Sequence, residues 1–190
     1  METFNLKGGV LEFDNDTHTY IYNGIIVPSV TQLLKKKFSG MYDGISKGVL
    51  EKAAQRGTDI HKAIEDYCVS GIETPLRDLH DFKFLMNYYK FEVIENEKPI
   101  VLDLDGTYAG RFDMIVRIND KLALCDIKTT SKLDKEYLAH QLNLYRIGAK
   151  QSYGYDIEEL YGIHLRNGTR KLVKIPIVDE ERLKESLNGV

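Results

Sequence analysis

Two apolar runs separated by only Asn119-Asp120 constrain this chain more than any other feature. Arg111-Phe-Asp-Met-Ile-Val-Arg-Ile118 alternates in character as a half-buried strand does, and Lys121-Leu-Ala-Leu-Cys-Asp-Ile-Lys128 is a second strand-like run. A connection of two such residues closes a tight hairpin. With Ile118 opposite Lys121, Ile115 falls opposite Leu124 and Asp113 opposite Asp126. Directly opposed residues share a face, with Cβ atoms roughly 5 Å apart, and Lys128 emerges on that face through period-two alternation. Two carboxylates that close repel unless a cation sits between them or one takes up a proton. Hard divalent cations favour such oxygen ligands, which makes Mg2+ or Mn2+ the natural guest. Taken alone, an Asp/Asp/Lys cluster at a strand end is more often a solvated rim than a site.

The rest of the chain moves that balance. Its 190 residues, 43% hydrophobic and 29% charged, suit one soluble domain with a sizeable core. No apolar run approaches the roughly 18 residues of a membrane span, and no basic-then-apolar leader opens the sequence. The expected compartment is the cytoplasm, or the host cytoplasm for a phage-encoded chain, with no membrane partner. Cys68 and Cys125 are too few for a disulfide framework or a four-thiolate site and are expected to be free, Cys125 on the strand face opposite Asp126. The net charge of −3 argues weakly against a generic nucleic-acid binder, but the distribution is uneven. Residues 28–62 carry seven basic and three acidic side chains, with Lys35, Lys36 and Lys37 consecutive; residues 63–120 carry six basic and twelve acidic. The basic stretch reads as a solvated helical face or as a phosphate-contacting one.

The periodicity predicts an N-terminal β-hairpin from Val10–Phe13 and His18–Val27, with Asn23-Gly24 as a turn signal, then a helix from Pro28-Ser29 to about Lys37. A longer helix is expected from Ile45 to about Val69, breaking near Arg56-Gly57-Thr58 with Thr58 as a cap, and another from Pro75 to Phe91. A strand near Val93–Leu102 precedes the hairpin; a helix over Leu133–Ala149, strands over Glu159–Leu165 and Lys171–Ile177 and a terminal helix from Asp179 follow it. The fold class expected is α/β in the broad sense (α+β): a central mixed β-sheet flanked by helices. One domain spans 1–190, with the N-terminal hairpin and helix to residue 44, the core over 45–178 and the terminal helix over 179–190.

Two further patterns carry chemistry. In Arg56-Gly-Thr-Asp-Ile-His61-Lys-Ala-Ile-Glu65, His61 and Glu65 stand at i and i+4 and share a helix face. A lone helical histidine is more often a surface or core residue; a carboxylate one turn away makes a metal role equally plausible, and imidazole suits manganese or iron better than magnesium. Arg56 offers a planar fork for a phosphate or an equally ordinary salt bridge. Tyr137, Gln141 and Tyr145 form an i, i+4, i+8 stripe with amide and ring surfaces, a pattern that alone is more often core packing.

Taken in order, these residues resemble the PD-(D/E)xK nuclease superfamily, and within it the RecB-like and lambda-exonuclease-like branch. The resemblance covers about residues 55–148: Gly-Thr-x-x-His-x-x-x-Glu (Gly57 to Glu65), Gly-x-x-Asp (Gly110 to Asp113), Asp-x-Lys (Asp126 to Lys128) and Gln-x-x-x-Tyr (Gln141 to Tyr145). His18-x-Tyr20 through Pro28-Ser-Val-Thr31 is similar to the opening of phage-type members. The resemblance implies a restriction-endonuclease-like core and a Mg2+- or Mn2+-dependent DNA exonuclease serving recombination, repair or phage DNA processing. Alternatives are a sequence- or structure-specific endonuclease of the same fold and a noncatalytic DNA-binding module. By position it implies His61, Asp113, Asp126 and the Ile127 carbonyl as metal ligands, and Lys128 as the residue that orients the attacking water. Gln141 and Tyr145 would support the site and contact the substrate strand. Glu65 matches the helical motif behind the ligands, Glu97 is a candidate for a second metal, and Arg56 with Lys35, Lys36 and Lys37 are candidates for DNA contact. Phe112 replaces the proline of the superfamily name, and Asp126 stands where Glu is common. Partners implied are linear single- or double-stranded DNA and a recombination partner such as a single-strand annealing protein. No iron-sulfur cluster is expected, since two cysteines cannot hold one.

Overall fold

The computed structural model describes residues 1–41 and 43–188, the side chain of Asn188 excepted; Gly189 and Val190 of the expected terminal helix lie outside the described residues. Turn chemistry sets much of the outline. Asn23-Gly24, Asn119-Asp120 and Asn167-Gly168 all have positive φ at both positions, the signature of the two-residue turns whose twist matches antiparallel strands.

The first of these turns belongs to a four-stranded antiparallel sheet in sequence order, β1 (Glu2–Leu6), β2 (Gly9–Asp14), β3 (Thr19–Tyr22) and β4 (Ile25–Val27). The expected turn at Asn23-Gly24 is present and separates β3 from β4, while β1, which precedes the expected hairpin, is an additional strand. In β1, Glu-Thr-Phe-Asn-Leu alternates between exposed and half-buried positions without one fully buried residue, so its apolar signal is faint.

Helix α1 (Val30–Lys37) starts at Ser29, whose side chain accepts from the Gln32 N–H while the Gln32 side chain accepts from the Ser29 N–H. Each exchange satisfies an otherwise orphaned helix-end donor. Helix α2 (Lys47–Ser70) runs unbroken through Gly57, contrary to the expected break and cap. Thr58 lies inside it and donates back to the Ala54 carbonyl at 3.2 Å, a bond a mid-helix threonine makes without ending the helix. Helix α3 (Arg77–Tyr89) follows.

The second sheet has the order β5 (Glu92–Asp103), β6 (Thr107–Ile118), β7 (Lys121–Lys128), β8 (Glu159–Arg166), β9 (Thr169–Ile175). All neighbours are antiparallel except β7 and β8, which are parallel and joined through α4 (Lys135–Tyr153); parallel neighbours need such a crossover. Helix α5 (Glu180–Asn188) closes the described chain. The result is an α+β molecule with a mixed sheet flanked by helices. On one sheet face α1, α4 and α5 bury Leu34, Leu142, Leu144 and Leu183 against Ile115 and Leu124; on the other α2 and α3 bury Ile60, Ile64 and Phe82 against Met114, Val116 and Ile127. Gly148 lets α4 lie against β5, because a Cβ there would come within 2.4 Å of Ile100.

The small sheet is fastened to the large one. Leu11, Phe13, Tyr20 and Val27 pack on Val101 and Ala109, the Ala109 N–H donates to the Pro28 carbonyl at 3.0 Å, and Arg111 pairs with Glu2 at 2.9 Å. Among the described residues, no helix is long and apolar enough to cross a membrane.

Candidate metal centre

The hairpin register is the one the turn dictates: Ile118 pairs with Lys121, Ile115 with Leu124 and Met114 with Cys125. The ladder stops one rung before Asp113 and Asp126. In place of that rung, the Ile127 N–H donates to Asp113 Oδ2 at 2.6 Å, so the carboxylate of one strand is held by the backbone of the other.

A third strand completes the acidic side. Beyond a register shift between Val93 and Glu95, β5 pairs Asn96 with Met114 and Lys98 with Phe112, which leaves Glu97 across from Asp113. Glu97 has φ of +46°, a left-handed conformation that costs an L-residue roughly 1–2 kcal/mol. Such strain persists only where the surroundings impose it. Helix α2 brings His61 over the same point, with Nδ1 3.6 Å from Asp113 Oδ1 and 3.9 Å from Glu97 Oε1, and Nε2 3.1 Å from the Ile127 carbonyl.

Among the described residues, His61, Glu97 and Asp113 form one group whose ligand atoms all lie within 4.8 Å of one another. They line a cavity of about 390 Å³ with Gly57, Lys62 and Glu65. Burial works against a charged His61, but Asp113, Glu97 and Asp126 outweigh it and raise the imidazole to about 9. Burial pushes Asp113 above the usual carboxylate range, and Glu97 adds to it against the pull of His61 and Lys128. One imidazole and two carboxylates of this kind fit a Mn2+- or Mg2+-type ion: hard oxygen donors predominate, and their mutual repulsion is what a cation would relieve.

The side facing α4 is organised differently. Asp126 is 2% exposed. Its Oδ2 accepts no well-angled hydrogen bond but has the Lys128 ammonium 2.5 Å away as an ion-pair partner. Lys128 also donates to Gln141 Oε1 at 2.9 Å, and Gln141 Nε2 donates weakly to the Tyr145 hydroxyl at 3.4 Å. Burial pushes Asp126 up to about 6 despite Lys128. Burial opposes charge on Lys128 too, yet Asp126 and Asp113 hold it above its ordinary value. Tyr145 is buried and its hydroxyl is raised accordingly.

The structure thus brings together His61, Glu97, Asp113, the Ile127 carbonyl, Asp126, Lys128, Gln141 and Tyr145. Glu65 lines the cavity with Lys62 3.5 Å away, outside the compact three-residue group. Arg56 is engaged elsewhere: it donates to Asp78 at 2.8 Å and to the Thr129 carbonyl at 3.2 Å. Arg166 donates to that same carbonyl at 3.2 Å, and His164 Nε2 lies 2.8 Å from the Thr130 carbonyl. Three cationic or ring side chains therefore pin the loop directly after Lys128, a role that sequence spacing does not signal because Arg166 and His164 come from β8. Gly57 faces the same loop: a Cβ added there would lie 3.4 Å from Thr129 Oγ1, an ordinary contact distance. Of the three consecutive lysines, Lys37 donates to the Ser186 carbonyl, Lys35 borders a second cavity, and Lys36 is exposed.

No family model matches this chain, and no curated protein matches it by sequence. Among solved structures, it is similar to one titled "Crystal structure of SSO0001", at 16% identity over 83% of each chain with a TM-score of 0.40, a likeness too slight to inform either activity or mechanism.

Proposed function

We propose that this chain is a Mg2+- or Mn2+-dependent deoxyribonuclease of the PD-(D/E)xK type, acting as an exonuclease. The observation that carries the reading is the placement of Lys128 on the Asp126 carboxylate, beside the His61, Glu97 and Asp113 cluster, at one strand end. A phosphodiester hydrolase needs those two capacities side by side: a place for a divalent cation, and a positioned ammonium for the attacking water and the charge that builds on phosphorus.

His61, Asp113 and Glu97 would hold the cation, with the Ile127 carbonyl and Asp126 adjoining. When bound, it would supply an acidified water and neutralise the phosphate oxygens. The chain's own residues do the remainder. Asp113 is oriented by the Ile127 N–H, so its carboxylate does not need to be ordered when substrate arrives. Gln141 accepts one Lys128 proton and Asp126 attracts the same ammonium, leaving Lys128 a further donor for water or a nonbridging oxygen.

The test is incubation with linear and closed-circular DNA, with and without Mn2+. Metal-dependent loss of linear DNA alone, stopped by EDTA, is the expected result. Cleavage of circles would make the protein an endonuclease, and hydrolysis indifferent to chelator would remove the metal from the reading.

A further inference from the structure

A second cavity, of about 540 Å³, is lined by residues of the small sheet, the start of α1, Gly110 and Arg111 of β6 and Tyr145 of α4. It is larger than the metal-site cavity and within the roughly 300–1,000 Å³ of small-ligand sites. Phe13, Tyr20 and Tyr145 line it while remaining only 5%, 7% and 4% exposed, so they present ring rims as fixed apolar walls. Arg111 and Lys35 supply the cationic part of the lining. Arg111 is held by Glu2 at 2.9 Å; Lys35 takes part in no ion pair among the described residues. The remaining lining is mostly neutral and polar, Asn15, Thr17, Ser29 and Gln32 among it, so ring surfaces, hydrogen-bonding groups and two cations stand together, a combination suited to a flat, anionic ligand with a polar edge.

The cavity is joined to the metal centre by covalent and hydrogen-bonded links. Gly110 and Asp113 are three residues apart on β6, a span of roughly 10 Å. A Cβ at Gly110 would come within 2.8 Å of Tyr145 Cε1, so the glycine is what lets that ring form a wall. Tyr145 accepts from Gln141, and Gln141 holds Lys128. A strand with its phosphate at the metal centre therefore has this cavity as neighbouring space. A base still paired in a duplex is stacked between its neighbours and cannot enter a walled slot without unpairing.

We propose that the second cavity takes the base of one unpaired nucleotide of the strand being cut, with the phosphate toward Arg111 and Lys35, so that single-stranded DNA ends are the substrate of the site. The inference rests on the deoxyribonuclease reading but is tested apart from it.

The experiment measures fluorescence anisotropy of a labelled oligothymidylate bound to the full chain in EDTA, where nothing is cut. The competitors are a blunt duplex, the same strand with abasic terminal positions, and thymidine monophosphate. Removing the terminal bases is expected to weaken binding about tenfold, near the low end of what one base-to-ring contact contributes, and the duplex is expected to bind more weakly than the intact strand. Thr31→Trp, an exposed α1 position that borders the cavity, should produce a similar loss with the intact strand and little with the abasic one. Should Thr31→Trp fail to fold, Lys35→Glu is the second variant: it should weaken intact and abasic strands alike, and unchanged affinity for both overturns the proposal. Equal affinity for intact and abasic strands overturns the proposal, as does duplex binding as tight as single-strand binding. So does thymidine monophosphate filling the cavity without displacing the strand, which would assign the pocket to free nucleotides. Failed hydrolysis in Mn2+ would leave these binding results standing, and failed base dependence would leave hydrolysis standing.

Discussion

On the α2 side of the site, His61, Glu97 and Asp113 converge on an open cavity; on the α4 side, Lys128 is shared between the buried Asp126 carboxylate and the Gln141 amide. In the first arrangement the two carboxylates share one imidazole, whose proton an incoming cation would displace. The second needs no guest to hold its shape. Two aspartates symmetric about the hairpin turn thus stand in different settings, Asp113 among His61 and Glu97 and Asp126 against Lys128; on the proposed function the first would serve ion binding and the second the chemistry.

Replacing Lys128 by alanine is the strongest way to break that contrast. Lys128→Ala should lower cleavage by about 10²–10³-fold while Mn2+ affinity, measured by calorimetry, changes little. Loss of metal binding together with activity would mean that the two sides act as one. The variant also leaves Asp126 buried without its ion-pair partner; its carboxyl, already raised to about 6, should then stay protonated to still higher pH.

Glu97 sharpens the comparison from the other side. Glu97→Gly removes one ligand, one repelling charge and one side chain that disfavours φ of +46°. Mn2+ affinity should fall at least tenfold, the lower bound even for an indirect metal partner. Thermal unfolding should show stability kept or raised by up to about 1 kcal/mol. A destabilised Glu97→Gly chain would show that the strained residue is structural, not a ligand held in waiting.

The smallest effect expected is on the periphery. Lys37 is occupied by Ser186 and Lys35 borders the second cavity, so exposed Lys36 is the one of the three that would meet a phosphate backbone outside that cavity. Lys36→Gln should reduce the slope of log affinity against log salt by about 1 for any DNA sequence; an unchanged slope makes it a solvated residue.

What could be read from the sequence divides along the same lines. The β6–β7 register was legible because two turn residues fix it, and with it the neighbourhood of Asp113, Asp126 and Lys128. The Tyr137, Gln141 and Tyr145 stripe was legible because helical periodicity is local. The unbroken α2 was not: a glycine and a threonine together read as a boundary, whereas Gly57 lies inside the helix and Thr58 bonds back to Ala54 without ending it. Strand β1 was missed because it buries no residue fully. The opposition of Glu97 and Asp113 depends on a shift near Ile94, and nothing in Val-Ile-Glu-Asn-Glu announces where a strand will slip. Arg56 could not be assigned between phosphate and salt bridge until Asp78 and Thr129 were placed beside it.

The two-residue turn at Asn119-Asp120 also orders the site in time. A hairpin closes within about 1–10 μs, and this one carries Asp113, Asp126 and Lys128 on a single short stretch of chain. His61 meets Ile127 across 66 residues, a loop whose closure is entropically costlier and slower. During folding the lysine travels with the carboxylates that would otherwise repel, whereas the histidine comes from a distant helix. The Asp113, Asp126 and Lys128 part of the cluster can thus take shape from local sequence, and the part that needs His61 waits for the tertiary fold.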